Sequence, residues 1–186
     1  MQQGVRGKRL TYDDFVLFPD DGMRHEIIDG EHYVTPSPNI RHQALLGRIH
    51  FELELFLRTN PGRGRVFMAP LDVLFSEWDV VEPDLLFVAA DQDILRDQNV
   101  QGAPALVVEI ASPGTRRRDE QIKRQLFDRG GVREYWIVDP DAHRVRVFRR
   151  QMDGSLGPAA ELTPDDALTT PLLAGLAIRL SELFAP

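Results

Sequence analysis

Hydrophobic and polar positions along this chain repeat in two periods, and the alternation between them divides it into helices and strands. Behind Thr11, the stretch TYDDFVLFPDD reads as a short helix in which Thr11 caps, Asp14 answers it and Pro19 marks the end. HEIIDGEHYV, from His25 to Val34, reads as a hairpin around an Asp29-Gly30 type I′ turn, with Glu26 and Ile28 on one strand face and Ile27 on the other. After Pro36-Ser37-Pro38-Asn39, apolar residues at 45, 46, 49, 53, 56 and 57 form a helical stripe that stops at Asn60-Pro61-Gly62. This is the longest expected helix, and the spacing turns His42 toward its packed side.

Val66 to Phe75 reads as a strand, and Ser76 to Asp79 turns the chain into a second one, Val80 to Val88. Pro83 cannot donate to a ladder, so it belongs at an edge, a bulge or a strand's beginning, and Asp84 lies just inside that irregularity. A polar segment, AADQDILRDQNVQGAP, follows as a surface loop or short helix. Next comes the stretch with the strongest signal: Ala105 to Val108 lead into a single acid, Glu109, and Ile110 and Ala111 continue to Ser112-Pro113-Gly114. Such a run reads as a strand covered on both faces, where an ionised carboxylate costs several kcal/mol unless a cation meets it. A metal ion is the most economical partner; an arginine of the Arg116-Arg117-Arg118 run, or a solvated strand end, would also serve.

From Arg118 to Arg129 the chain reads as a helix closed by Gly130-Gly131, with Ile122, Leu126 and Phe127 in its buried stripe. Asp119 and Lys123 fall within or beside that stripe, either facing the sheet or forming an i,i+4 pair with a snorkelling lysine. Glu134 to Val138 and Val145 to Arg149 read as a strand pair. A loop, a short apolar strand and a terminal helical turn complete the chain.

Composition narrows the chemistry. The 186 residues suit one domain, residues 10–186 behind a flexible segment 1–9, with enough chain to bury a core unaided. The absence of cysteine excludes disulfides and thiolate zinc sites. No apolar segment follows the basic N-terminus and nowhere do eighteen apolar residues run together, so the expectation is a soluble, cytoplasmic protein. A formal net charge of −7 argues against a large sequence-independent grip on nucleic acid and makes any phosphate binding local. Arginines at 116–118, at 124, 129 and 133, and at 144, 146, 149 and 150 could supply it, or form solvated faces. Phosphate-loop, dinucleotide-binding, zinc-protease and serine-hydrolase signatures are missing, and the five histidines show no metal spacing.

Two carboxylates on adjacent strands, Asp84 and Glu109, can share one divalent cation, and a nearby lysine eases the charge that develops on a phosphate. Phosphodiester hydrolysis uses that combination. The order of elements resembles the PD-(D/E)XK nuclease superfamily, and more closely its Uma-two family of endonucleases, from about Thr11 to Phe184. The resemblance rests on HEIIDGE, RHQALLGRI, VEPDLLFV, LVVEIASPGT, RRDEQIKRQLF and GVREYWIVDP, each weak alone and strong in this order. It implies a restriction-endonuclease-like fold, a mixed β-sheet flanked by helices. It also implies Asp84 and Glu109 as ligands of Mg2+ or Mn2+, Glu26 as a third carboxylate, and a nucleic-acid substrate, DNA in the first place.

In the general superfamily motif the lysine lies two residues after the acid; here that residue is Ala111, and Lys123 resembles the migrated lysine of the Uma-two pattern. The family's aromatic four residues later is a tyrosine, and here it is Phe127. His42 and Asp119 match family positions, where they would orient the ligands. Many nucleases of this fold act as homodimers, which sets the expectation here. Two readings from different classes follow: a metal-dependent nuclease, or a non-catalytic binding or assembly module of the same fold, whose acids persist as structural ion pairs.

Overall fold

Thr11 opens α1 (Tyr12–Phe15) with the expected cap, Asp14 Oδ2 accepting from the Thr11 N–H at 2.9 Å and its hydroxyl at 3.0 Å. The structure, a computed structural model, describes residues 9–185 other than 36, 113, 115 and 117; residues 1–8 of the expected flexible segment lie outside the described residues. β1 (Arg24–Ile28) and β2 (Glu31–Thr35) pair in the expected hairpin, with Asp29 and Gly30 at φ 55° and 77° as a type I′ turn requires. α2 (Ile40–Thr59) starts at Asn39, whose side chain accepts the His42 N–H at 2.9 Å. It buries His42, Leu45, Leu46, Ile49 and Leu53, the stripe that its periodicity predicts.

The next two strands differ from expectation. Residues 66–75 form not one strand but two, β3 (Gly64–Met68) and β4 (Val73–Ser76), and residues 80–88 divide into β5 (Asp79–Val81) and β6 (Leu85–Ala89). The breaks fall at Pro70 and Pro83, where the missing N–H interrupts a ladder. At each break the chain passes between two sheets. β4 and β5 join the hairpin in a five-stranded sheet, order β2-β1-β5-β4-β7, where β7 (Val100–Gln101) comes from the segment expected as a loop or short helix.

β3 and β6 belong to a six-stranded sheet, order β11-β10-β9-β8-β6-β3. Its remaining strands are β8 (Leu106–Ile110), β9 (Glu134–Asp139), β10 (Arg144–Arg149) and β11 (Ala160–Leu162). β8 and β9 run parallel, joined by a π-helical turn (Arg118–Lys123) that continues into α3 (Arg124–Gly130). A ribbon of β12 (Ala167–Thr169) and β13 (Ala177–Arg179) and a last turn, α4 (Leu180–Leu183), complete the chain. Among the described residues no helix is long and apolar enough to cross a membrane.

β8 is buried along its whole length, and its side chains alternate between two cores. Leu106, Val108 and Ile110 pack with Leu45, Ile49 and Leu53 of α2. Val107 and Ala111 pack with Leu126 and Phe127 of α3. Glu109 therefore stands among apolar residues on the face that α3 covers.

Candidate active site

The Pro83 break places Asp84 at the seam between the sheets. β6 pairs antiparallel with β8 in the register Leu85 opposite Val108, which continues to Asp84 opposite Glu109. β1, from the other sheet, brings Arg24, Glu26 and Ile28 on one face, as its period of two dictates. The π-helical turn carries Asp119 and Lys123, both buried. A wide turn of this kind shifts side chains off ordinary helical spacing. Lys123 does not settle into a solvent-facing i,i+4 pair: at 2 % exposure its Nζ lies 2.7 Å from Glu109 Oε1 and 2.7 Å from Glu26 Oε1.

Asp84 has a full set of donors. Arg24 donates to Oδ1 at 2.7 Å, while Oδ2 accepts from the Ile110 N–H at 2.8 Å and lies 3.0 Å from His42 Nε2. His42 thus reaches the site from α2, as its place on the packed face predicts, with Nδ1 buried and unpartnered. Glu26 Oε1 also accepts the Glu82 N–H at 3.1 Å; its Oε2 is buried without a hydrogen bond, 3.7 Å from Arg118.

These contacts set the charges. Burial acts to raise the Asp84 carboxyl, but the hydrogen bond from His42, the Arg24 guanidinium and the Ile110 N–H outweigh it and hold the group well below the usual carboxylate range. Burial pushes Glu109 up to about 8; Lys123 opposes that rise, while Asp84, Asp119 and Glu26 add to it. Burial works to discharge Lys123, yet Glu109, Glu26 and Asp119 prevail and keep its pKa above the ordinary lysine value.

The floor of a cleft of about 260 Å3 is formed by Asp84, Glu109, Asp119 and Lys123, and its walls include Arg24, Asn39, Arg41, His42, Ser112 and Arg118. That volume holds a phosphate group and several waters at about 30 Å3 per water. Of the arginine run, Arg116 turns away to Asp139 at 2.9 Å, and Arg117 lies outside the described residues. Arg118 lines the cleft, hydrogen bonded to the Thr35 hydroxyl. Phe127, fully buried, packs edge-on against Tyr135 at 4.9 Å between ring centroids, and the Tyr135 hydroxyl donates to the Asp119 carbonyl at 3.2 Å.

Sequence reasoning passed over Arg24. The available signal was its position two residues before Glu26, which puts both on one strand face.

Among the described residues no group of three or more His, Asp or Glu is already spaced to hold a metal ion. Within the cluster Asp84 is engaged by Arg24, and Glu109 and Glu26 share Lys123.

Comparison with known proteins gives a consistent picture. No curated protein matches the chain. Among solved structures, a crystal structure from Anabaena variabilis described as "a putative nuclease belonging to DUF820" is similar, with a TM-score of 0.78 at 22% identity over 94% of this chain and 97% of that one. At that identity the likeness speaks for the fold, a restriction-endonuclease-like arrangement of mixed sheets and flanking helices. The model of the Uma2 family, described as "Putative restriction endonuclease", matches residues 12–181, from α1 through β13 into α4, and the chain therefore belongs to the Uma2 family.

Proposed function

We propose that this protein is a metal-dependent endonuclease that hydrolyses phosphodiester bonds of nucleic acid, DNA in the first place, in the cytoplasm and as a homodimer. The observation that carries the proposal is the buried Lys123 ammonium, 2.7 Å from Glu109 and from Glu26, with Asp84 across the strand pair and a cleft opening above them. A buried acidic cluster around one lysine weakens a core, so its presence at a cleft favours a chemical role over a structural one.

The donors fit a hard divalent ion, Mg2+ or Mn2+. They are carboxylate oxygens, and Glu26 Oε2 is buried without a hydrogen bond. Such ions are commonly held by one or two carboxylates, waters and the substrate phosphate, so a preformed cage of three is not required. Asp84 and Glu109 would hold the ion and Glu26 would assist. When bound, the ion supplies Lewis acidity and lowers the pKa of a water.

The chain's own groups do the rest. Lys123, kept protonated by its acidic neighbours, presents fixed positive charge where negative charge builds on the phosphate. His42 and the Ile110 N–H orient Asp84. Arg118 and Arg41 line the cleft and draw the phosphate backbone into it, which supplies local attraction in a chain of net charge −7.

One observation favours the second reading, a non-catalytic binding or assembly module: Asp84 and Glu109 are already neutralised by Arg24 and Lys123. The two readings separate in a cleavage assay on supercoiled plasmid and single-stranded substrates with Mg2+, Mn2+ or EDTA. The nuclease reading expects nicking that EDTA abolishes and that Glu109→Gln removes. Binding without cleavage under every metal condition would favour the module.

A further inference from the structure

Asp84 and Glu109 are held by different cations, Arg24 and Lys123, and Arg24 is the more exposed of these two. Lys123 is 2 % exposed and held between Glu109 and Glu26. The Arg24 side chain is 21 % exposed and lines the cleft. Its NH1 donates to Asp84 Oδ1 at 2.7 Å and to the Glu82 carbonyl at 3.3 Å, so it occupies the one Asp84 oxygen that neither His42 nor the Ile110 N–H touches. A divalent ion and a guanidinium cannot share that oxygen at bonding distance without strong repulsion between them.

A guanidinium also matches the non-bridging oxygens of a phosphate in its fork geometry. Arg24 sits on the cleft wall, at the first residue of β1, with turn residues before it, so its side chain can rotate toward the cleft without moving the sheet.

We propose that Arg24 is an exchangeable counter-ion: it holds Asp84 Oδ1 until a divalent ion binds, then gives up that oxygen and turns into the cleft to bind the substrate phosphate. The inference rests on the nuclease reading of the site. It explains why Asp84 is paired with Arg24 rather than preassembled with Glu109 for a metal, and it couples metal binding to phosphate binding through one side chain. The coupling is reciprocal: substrate that holds Arg24 in the cleft strengthens metal binding by the same factor.

The test uses the full chain and reads binding rather than turnover. Mn2+ is titrated calorimetrically into wild type, Arg24→Gln and Arg24→Lys, and a short phosphorothioate DNA duplex is titrated into each with and without Mn2+. Melting curves confirm that the variants are folded; where Arg24→Gln does not fold, Arg24→Lys, which keeps the charge but loses the fork, is compared with wild type alone.

Arg24→Gln is expected to bind Mn2+ about tenfold more tightly than wild type. It also loses the gain in duplex affinity that Mn2+ gives wild type, and Arg24→Lys falls between the two. Equal Mn2+ affinity in wild type and variants overturns the proposal while leaving the nuclease reading intact. So does a tighter Mn2+ affinity in Arg24→Gln with the gain in duplex affinity undiminished, because Arg24 would then be only a repelling charge. A wild type whose duplex affinity ignores Mn2+ overturns the phosphate half. Failure of every sample to bind Mn2+ removes the nuclease reading, and the proposal with it.

Discussion

Lys123 Nζ lies 2.7 Å from Glu109 Oε1, although Lys123 sits on the π-helical turn and Glu109 in the middle of the sheet, fourteen residues earlier. The residue on the same strand face as Glu109, where the general superfamily motif has its lysine, is Ala111, buried against α3 in the apolar core. A lysine delivered from the helix meets the acid that a strand lysine would otherwise accompany. Its ammonium also bridges to Glu26 of the other sheet.

Asp84 is the most strongly supported acid of the group, so its loss should cost stability as well as function. Asp84→Asn leaves the Arg24 guanidinium without its anion and weakens the contacts to His42 and the Ile110 N–H. Because Arg24 is partly exposed and can turn into the cleft, the cost is that of weakening charged hydrogen bonds, about 2 kcal/mol. A urea melt of Asp84→Asn should show a loss of that order, and a melt superimposable on wild type would contradict the geometry.

Glu82 should make stability fall with rising pH. Burial raises its carboxyl to about 7, with Asp72 adding and Arg24 opposing. A folded-state value above the unfolded one means that the native state binds the extra proton. The stabilisation is therefore complete below about pH 4 and is lost as pH rises through 7. Because Glu82 is partly exposed, the effect is discounted to about 1 kcal/mol. Glu82→Gln should thus be more stable than wild type at pH 8, with the difference vanishing near pH 4; thermal melts across that range check the sign.

Glu134 provides a contrast within the same sheet. It is buried at the start of β9, accepting from Trp136 Nε1 at 2.8 Å and the Thr170 hydroxyl at 2.8 Å, with Arg149 at 3.3 Å, away from the residues that line the cleft. Every contact is structural. Glu134→Leu strands two donors and should cost about 2 kcal/mol, while the cleavage rate per folded molecule stays that of wild type. A rate that falls with unchanged stability would place Glu134 in the site instead.

Glu109 and Glu134 also show how far the sequence could be read. Glu109 stood out because it interrupts an apolar run whose alternation buries both faces, and its need for a cation followed from burial alone. Glu134 is equally buried, but it opens its strand, where acids are usually solvated, and its partners Trp136, Arg149 and Thr170 converge only after folding. Local rules therefore located the elements: the Thr11 cap, the Asp29-Gly30 turn, and the α2 stripe with His42 facing inward. They could not show that Pro70 and Pro83 carry the chain between two sheets, since strand partners are chosen by contacts distant in sequence. That crossing brings β1 beside the Asp84 break, and with it Arg24, whose role is invisible until the two sheets meet.

The central claim is that Lys123 acts on a phosphodiester rather than merely neutralising buried acids. It is tested most directly by the Mn2+-dependent rate of plasmid nicking by Lys123→Met, beside wild type purified identically and with folding verified by circular dichroism. Removing preorganised positive charge from a developing oxyanion costs about 10^2-fold or more in rate. The account predicts a loss of that size in a folded protein that still binds Mn2+. Nicking by folded Lys123→Met at the wild-type rate would contradict it.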